Sequence, residues 1–207
     1  MNFKSYERQD EFVVKLQQYI KTEYDTDDPK YYLDVAAGDP VTGSNTYVLD
    51  VDLQWQGLAF DIAEGLKQKW NENEERTAEF SIEDVTSENF TNLLSMRKNK
   101  LYDYLSLDVD TGTPENKSHT ALARILNAGV RFKICTYEHE SFKYGDKYKL
   151  MVREALEQRG YKILFPDVCF ANGTPWEDWI IDPEYFSEEL MALSAPNKTF
   201  EEIIDML

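Results

Sequence analysis

Short apolar runs alternate with segments of helical spacing along the first 160 residues, and this alternation is the most constraining feature of the chain. Such runs predict buried strands, and apolar residues three and four positions apart predict helices that cover them. Five strand–helix units in succession are typical of a parallel sheet with crossover helices on its faces. The predicted strands are residues 31–36, 57–62, 77–82, 102–109 and 131–138.

The pattern changes after Gly160. Residues 161–170 and 176–182 are two further strand-like runs, and the Asn172-Gly173 pair between them predicts a turn. We therefore expect these two strands to pair antiparallel, as a hairpin at one edge of the sheet. The predicted parts of this single α/β domain are an N-terminal helical segment, a core and a helical tail, at residues 1–28, 29–182 and 183–207.

Charge and composition exclude several classes of protein. The net charge of −17 argues against nucleic-acid partners, because binding a phosphate backbone requires a positive surface. The apolar runs are too short to span a membrane, and the first residues lack the apolar stretch of a secretory signal. We therefore expect a cytoplasmic protein without a membrane partner. Cys135 and Cys169 lie inside apolar runs, which predicts two reduced core residues.

Acidic residues follow every predicted parallel strand. The carboxyl ends of parallel strands meet at one edge of the sheet, and ligands bind beyond that edge, so this pattern predicts a binding site there. The alternative explanation is that these carboxylates cap the helices that follow. In chain order, the residues at this edge are Asp34, Ala36, Gly38, Asp39, Asp61, Asp84, Asp108, Asp110, Glu138, His139 and Glu140.

The residue types at this edge suit a nucleoside ligand that carries a positive charge. Small residues after the first strand let the backbone approach a ligand closely. Asp61 suits the two hydroxyl groups of a ribose, and Asp84 suits an adenine amino group. Asp34 and Asp108 suit an amine or a sulfonium. A nicotinamide dinucleotide is the weaker alternative, because residues 36–41 supply only one glycine of the GxGxxG fingerprint.

Four stretches resemble the FkbM-type S-adenosylmethionine-dependent methyltransferases. They are YLDVAAGDPVTGSNTYVLD, GLAFDI, DYLSLDVD, and TYEHE with the later PWEDWIIDP. The resemblance implies the Rossmann-like class I methyltransferase fold, a mostly parallel seven-stranded sheet in the order 3-2-1-4-5-7-6 with helices on both faces and an antiparallel edge hairpin. The sequence departs from the family pattern at Ala36 and Pro40, which replace glycines, and at Asp61, which replaces a glutamate.

The resemblance also implies S-adenosylmethionine as the cofactor and assigns roles to the residues at the edge. It places Asp61 on the ribose and Asp84 near the adenine, and it includes Ile62 among the cofactor-binding residues. It places Asp108 beside the transferable methyl group and Asp110 on the substrate side. The residues that it places around the methionine part are Asp34, Ala36, Ala37, Gly38, Ser44 and Asn45.

Methyl transfer to a hydroxyl group benefits from a general base. His139 is the best candidate because histidine titrates near neutral pH, and we expect it to act with Asp108 and Asp110. The alternative for His139 is a local hydrogen bond that holds its own loop. The same side chains also suit a divalent cation, which we do not expect to be required. Residues 111–120 and 140–148 are candidate substrate loops.

The sequence therefore predicts an S-adenosylmethionine-dependent methyltransferase that acts on an oxygen of a small molecule or a sugar. One alternative is a non-catalytic Rossmann-like interaction domain, and its support is the replacement of glycines by Ala36 and Pro40. A second, weaker alternative is an NAD(P)-dependent oxidoreductase. Retention of the cofactor separates the three hypotheses.

Overall fold

The sheet has the predicted order and the predicted edge hairpin. A computed structural model describes residues 1–109 and 117–207. Within these residues, seven strands form one sheet in the order β3-β2-β1-β4-β5-β7-β6. β1 to β5 pair in parallel, whereas β7 pairs antiparallel with both β5 and β6. The strands are β1 (Tyr31–Val35), β2 (Gln56–Asp61), β3 (Glu79–Ile82), β4 (Leu101–Leu107), β5 (Arg131–Glu138), β6 (Lys162–Cys169) and β7 (Pro175–Ile181).

Helices cover both faces of this sheet. They are α1 (Gln9–Leu16), α2 (Tyr47–Val51), α3 (Gly65–Glu72), α4 (Glu88–Met96), α5 (Ser118–Asn127), α6 (Ser141–Tyr144), α7 (Lys147–Glu157), α8 (Glu188–Ala192) and α9 (Phe200–Met206). Within the described part of the chain, no helix has the length and apolar character that crossing a membrane requires.

Alternation along the strands divides the core into two layers. Tyr32 and Tyr104 belong to one layer, with side chains from α1 and α9. Their neighbours Leu33 and Leu105 belong to the other, with side chains from α4, α5 and α7. Successive residues of a strand point to opposite faces, so each central strand is apolar on both sides. The buried cysteines Cys135 and Cys169 are free thiols, as predicted.

The N-terminal helical segment is shorter than the sequence pattern indicates. Helical spacing extends from residue 6 to residue 22, but α1 ends at Leu16 and a short 3-10 turn follows at Gln17–Tyr19. Ile20 has an extended backbone and forms an isolated β-bridge with Phe186 in the C-terminal tail. Pairing with the tail therefore replaces the last helical turn that local propensity favours.

Four other local features test the sequence patterns. Ser44 and Asn45 are residue types that favour the N-cap of a helix, but the N-cap of α2 is Thr46, and its side chain makes no capping hydrogen bond. Gly129 follows α5 with a φ of 76°, a left-handed conformation that glycine adopts readily, and Thr199 begins α9 with a capping box. The short helix α6 lies in a segment that the sequence predicts to be a loop.

Candidate functional site

The segment that joins β1 to α2, residues 36–46, turns sharply at the carboxyl edge of the sheet; we call it the β1–α2 loop. Ala36 and Gly38 both have left-handed backbones, with φ values of 63° and 60°. Gly38 donates its N–H to Oδ2 of Asp61 over 3.0 Å and accepts from Nε1 of Trp70 over 2.9 Å. An alanine in the left-handed region costs on the order of 1 kcal/mol, which these surrounding contacts must offset.

A buried arginine, Arg76, donates hydrogen bonds to this loop, and the sequence patterns did not identify it. The side chain of Arg76, between α3 and β3, is 1% exposed, and its Cζ lies 4.4 Å from the ring centroid of Trp70. Its nitrogens donate to Oδ2 of Asp50 (2.7 Å), the carbonyl oxygen of Pro40 (2.7 Å), Oγ1 of Thr46 (2.9 Å), Oη of Tyr32 (3.0 Å) and Oγ of Ser44 (3.1 Å).

Asp34 lies at the end of β1 and receives part of this network. It is 2% exposed, and its Oδ2 accepts from Oγ1 of Thr46 over 2.6 Å. Thr46 in turn accepts from Arg76, so one hydroxyl group links the guanidinium to the carboxylate. Burial raises the pKa of Asp34, and the hydrogen bond from Thr46 and the charge of Arg76 oppose that shift.

A cleft of about 410 Å³ opens beside this loop. Its lining includes residues that the sequence predicts for cofactor binding and that come from the ends of four different strands. Asp61 uses Oδ1 to accept from the N–H of Ala63 over 2.8 Å, and the side chain of Ile62 is exposed. The predicted residues that line the cleft are Ala36, Asp61, Ile62, Asp84 and Asp108.

A second cleft, of about 470 Å³, lies at the opposite edge of the sheet. It is slightly larger and is lined by Tyr31, Gln56 and Tyr102, where the parallel strands begin. Ligands of open α/β sheets bind beyond the carboxyl ends of the strands. The position of a cleft is therefore a better guide to the site than its volume. The smaller cleft is therefore the candidate site.

Local hydrogen bonds account for part of the acidic pattern, as the capping alternative requires. Asp84 accepts from the N–H and the hydroxyl of Thr86, over 2.9 and 2.7 Å. Asp39 accepts from the N–H groups of Val41 and Thr42, and its pKa is lowered because these donors and Lys69 outweigh the effect of burial. Asp84 nevertheless lines the cleft, so a local role does not remove it from the site.

The other half of the edge places two buried glutamates opposite each other on neighbouring strands. Glu138 on β5 and Glu177 on β7 are directly opposed in the antiparallel ladder, and they are 6% and 3% exposed. Gln9 donates to Oε1 of Glu177 over 3.2 Å. Burial and the negative charge of Asp108 raise the pKa of Glu177 to about 8. At neutral pH, Glu177 therefore carries a proton most of the time.

His139 lies in the interior and not in the cleft. It is 0% exposed, and its Nδ1 accepts from the N–H of Ser141 over 3.1 Å. Burial lowers the pKa of His139 to about 4, so the ring is neutral and carries its hydrogen on Nε2. This geometry agrees with the local role that was the alternative interpretation. General-base catalysis by His139 stays a prediction.

Potential metal ligands also lie around this histidine. Among the residues with described positions, His139, Asp167 and Asp178 bring ligand atoms within 4.8 Å of one another. Both aspartates are already paired with cations: Arg153 lies 2.9 Å from Asp167 and 2.6 Å from Asp178, and Lys149 lies 2.7 Å from Asp167. The group therefore fits an internal ion-pair network better than a metal site.

Some predicted site residues lie elsewhere. Asp110 and most of the predicted substrate loop 111–120 are outside the described residues. Asn45 donates to Oγ of Ser106 over 3.1 Å, which fixes it above β4. Ser44 is buried and accepts from Arg76. These two side chains therefore shape the β1–α2 loop, and direct contact with a cofactor stays a prediction for both.

Comparison with known proteins supports the fold. No family model matches the chain, and no curated protein matches its sequence. Human methyltransferase-like protein 13, solved in complex with SAH, has a TM-score of 0.57 at 13% identity, over 96% of this chain and 92% of that one. Spermidine synthase from Thermotoga maritima has a TM-score of 0.53 at 15% identity, over 98% of this chain and 76% of that one.

A third similar structure is the human methyltransferase 10 domain containing protein, with a TM-score of 0.52 at 15% identity. It aligns over 83% of this chain and 78% of its own. Identities this low support an argument about fold and not about activity. Together with the strand order and the edge hairpin, these similarities show that the chain has the Rossmann-like class I methyltransferase fold.

Proposed function

We propose that the protein is an S-adenosylmethionine-dependent methyltransferase that binds its cofactor at the β1–α2 loop and in the adjoining cleft. The observation that carries this proposal is the convergence on one cleft of residues predicted separately from four strand ends. They are Ala36, Asp61, Ile62, Asp84 and Asp108. The similar structure of a methyltransferase in complex with SAH supports the same assignment.

The residues present fit the parts of this cofactor. Asp61 holds Gly38 and Ala63 by one lone pair on each oxygen, and its remaining lone pairs suit the two ribose hydroxyls. Asp84 lines the same cleft and suits the adenine amino group, with Ile62 offering an apolar surface to the ring. Asp34 and the β1–α2 loop suit the charged amino-acid end.

Positioning is the main contribution that this site would make to methyl transfer. S-adenosylmethionine supplies an electrophilic methyl group when it is bound. The chain must hold the acceptor in line with that group and exclude water, and alignment of this kind lowers the barrier strongly. If the acceptor is a hydroxyl, Asp108 is better placed than His139 to receive its proton, because Asp108 lines the cleft and His139 is buried.

An oxygen of a small molecule or a sugar is the acceptor in this proposal. That part rests on the FkbM resemblance alone, as do the subfamily and a role for Asp110. The cytoplasmic location rests on the sequence composition. A required divalent metal is not part of the proposal, because the candidate ligands around His139 are paired with Arg153 and Lys149.

The interaction-domain alternative loses most of its support from the loop geometry. Ala36 adopts the left-handed backbone that a glycine would supply, and the carbonyl of Pro40 is held by Arg76. Neither replacement leaves the loop unstructured. The two residues that departed from the family pattern are therefore compatible with a working cofactor loop.

Calorimetric titration with S-adenosylmethionine, SAH and NADH in parallel tests the proposal. We expect micromolar binding of the first two and none of NADH. Asp61→Asn is the matched variant, because it keeps the size of the side chain and removes its charge; it should weaken SAH binding. Binding of NADH alone would support an oxidoreductase, and binding of none would favour the interaction domain.

A further inference from the structure

The guanidinium of Arg76 is buried and makes five hydrogen bonds beside the β1–α2 loop. All three of its nitrogens donate, and the five acceptors come from β1, the β1–α2 loop and α2. Burying a charge is expensive unless it is paired and hydrogen-bonded. Arg76 differs in this respect from a solvated surface arginine, because each nitrogen of its guanidinium has a hydrogen-bond acceptor within the protein.

Two of the acceptors fix the guanidinium itself. Asp50 on α2 forms the ion pair and also accepts from the N–H groups of Thr77 and Ala78, which follow Arg76 in the chain. Tyr32 reaches the same group because its partner on β2 is Gly57, where a Cβ would lie 1.9 Å from Cζ of the tyrosine ring. Arg76 therefore has a single well-defined position.

The other three acceptors belong to the β1–α2 loop. They are the carbonyl oxygen of Pro40 and the hydroxyls of Ser44 and Thr46, at both ends of the stretch 40–46. A fixed donor group that bonds both ends determines the span of that stretch. The hydroxyl of Thr46 also donates a hydrogen bond to Asp34 over 2.6 Å, so it links Arg76 to that carboxylate.

We propose that Arg76 is the positioning residue for the amino-acid end of S-adenosylmethionine, acting through the β1–α2 loop and Asp34. This inference rests on the proposed function. Among the described residues that line the cleft where the adenosine part would bind, Arg76 is absent. Loss of the guanidinium group should therefore weaken the binding of ligands that carry the amino-acid part. It should leave the binding of ligands that lack this part unchanged.

Charge supplies a second consequence. An aspartate must be ionised to attract an ammonium group, and burial disfavours the ionised form of Asp34. The groups that act on it are Thr46, Arg76, Ser106, Asp61 and Tyr104. Arg76 is the cation of this set, so a neutral replacement should move the acidic loss of affinity to higher pH.

The test is calorimetry with two ligands, SAH and 5′-methylthioadenosine, which has the adenosine and sulfur but no amino-acid part. Arg76→Lys keeps the charge and loses the planar fork, and Arg76→Gln loses both. The control is Arg97→Gln, which removes a half-exposed arginine paired with Glu79 near the same strand. Thermal unfolding and circular dichroism confirm that each variant is folded, and Arg76→Lys serves if Arg76→Gln is not.

We expect both Arg76 variants to bind SAH at least tenfold more weakly and 5′-methylthioadenosine within twofold of the original chain. The control should change neither. Between pH 5 and pH 8, the affinity of Arg76→Gln for SAH should fall at a higher pH than that of Arg76→Lys.

An equal loss of affinity for both ligands in folded variants, or no loss of affinity for either, would overturn the inference and leave the proposed function intact. If the original chain binds neither ligand, the proposed function fails first, and the inference falls with it. The two failures are therefore distinguishable from one set of titrations.

Discussion

The two halves of the carboxyl edge manage buried acidic groups in different ways. On the side of β1 and β2, Asp34 and Asp50 lie within one network around the guanidinium of Arg76. On the side of β5 and β7, Glu138 and Glu177 face each other. Within the described residues, no ion pair joins either glutamate to a cation. A fixed cation compensates the first half, whereas in the second half burial and the negative charge of Asp108 raise the pKa of Glu177, so that this residue retains a proton.

This difference separates a preorganised half from one that responds to its surroundings. Arg76 keeps its charge at any physiological pH, so the half of the edge around the β1–α2 loop should hold one shape across a wide pH range. The raised pKa of Glu177 means that the charge of the other half changes near neutral pH.

The largest expected effect is the loss of the buried cation. Arg76→Met leaves Asp50 buried without its ion pair, and breaking such a pair costs about 3–5 kcal/mol of unfolding free energy. Urea denaturation measures this value. Arg97→Met should cost less than about 1 kcal/mol, because its partner Glu79 is exposed. Similar costs for the two variants would remove the contrast between buried and surface pairing.

The next effect concerns the proton on Glu177. Its folded pKa is raised to about 8 from 4.5, so the folded chain retains a proton that the unfolded chain releases. Stability should be fully present below pH 4.5 and should fall as the pH rises from 4.5 to 8. Glu177→Gln removes this dependence, and it should stabilise the protein by about 2–4 kcal/mol at pH 8.5 relative to its effect at pH 5.

Urea denaturation at pH 5 and pH 8.5 checks that expectation. Glu88→Gln is the control, since the side chain of Glu88 is 84% exposed. An identical stability increment for Glu177→Gln at both pH values would show that the carboxyl is ionised throughout. The two halves would then not differ in the way described.

A smaller effect is expected for the predicted ribose ligand. Asp61→Ala should weaken SAH binding by about 1–3 kcal/mol, because it removes hydrogen-bond acceptors and releases the N–H of Gly38. Calorimetry gives the value directly. Unchanged affinity would exclude Asp61 from the binding site. Its role would then be limited to the local hydrogen bonds that it accepts at the end of β2.

The smallest effect tests the backbone of the β1–α2 loop. Ala36→Gly should stabilise the protein by about 0.5–1 kcal/mol, because Ala36 has a φ of 63° that glycine adopts without strain. The adjoining Ala37 is buried and does not have a positive φ. Ala37→Gly should therefore destabilise by about the same amount. The same sign of change for both variants, by urea denaturation, would contradict the strain at position 36.

The sequence was sufficient for the sheet and for the cleft. Apolar runs predicted the strands, and the predicted acidic residues after β2, β3 and β4 line one cleft because parallel strands end at one edge. Ile62 came from the family resemblance, whereas Asp61, Asp84 and Asp108 could be predicted for this reason. Each of these aspartates is identified by its position next to a strand, which a single sequence reveals.

The Arg76 network and the Glu138–Glu177 pair could not be predicted in the same way. The side-chain partners of Arg76 lie between 26 and 44 residues away in the chain, and no spacing rule marks such contacts. The register of β5 against β7 decides which glutamates face each other, and a shift of one residue would separate them. The burial of His139 likewise depends on Asp167 and Asp178 from the edge hairpin.

The most direct test of the central claim is a crystal structure of the protein with SAH. We expect the adenosine part in the cleft beside Asp61 and Asp84, with the ribose hydroxyls within hydrogen-bonding distance of Asp61. The amino-acid end should lie against the β1–α2 loop that Arg76 holds. SAH bound in the opposite cleft, beside Tyr31 and Tyr102, would contradict this account of the site.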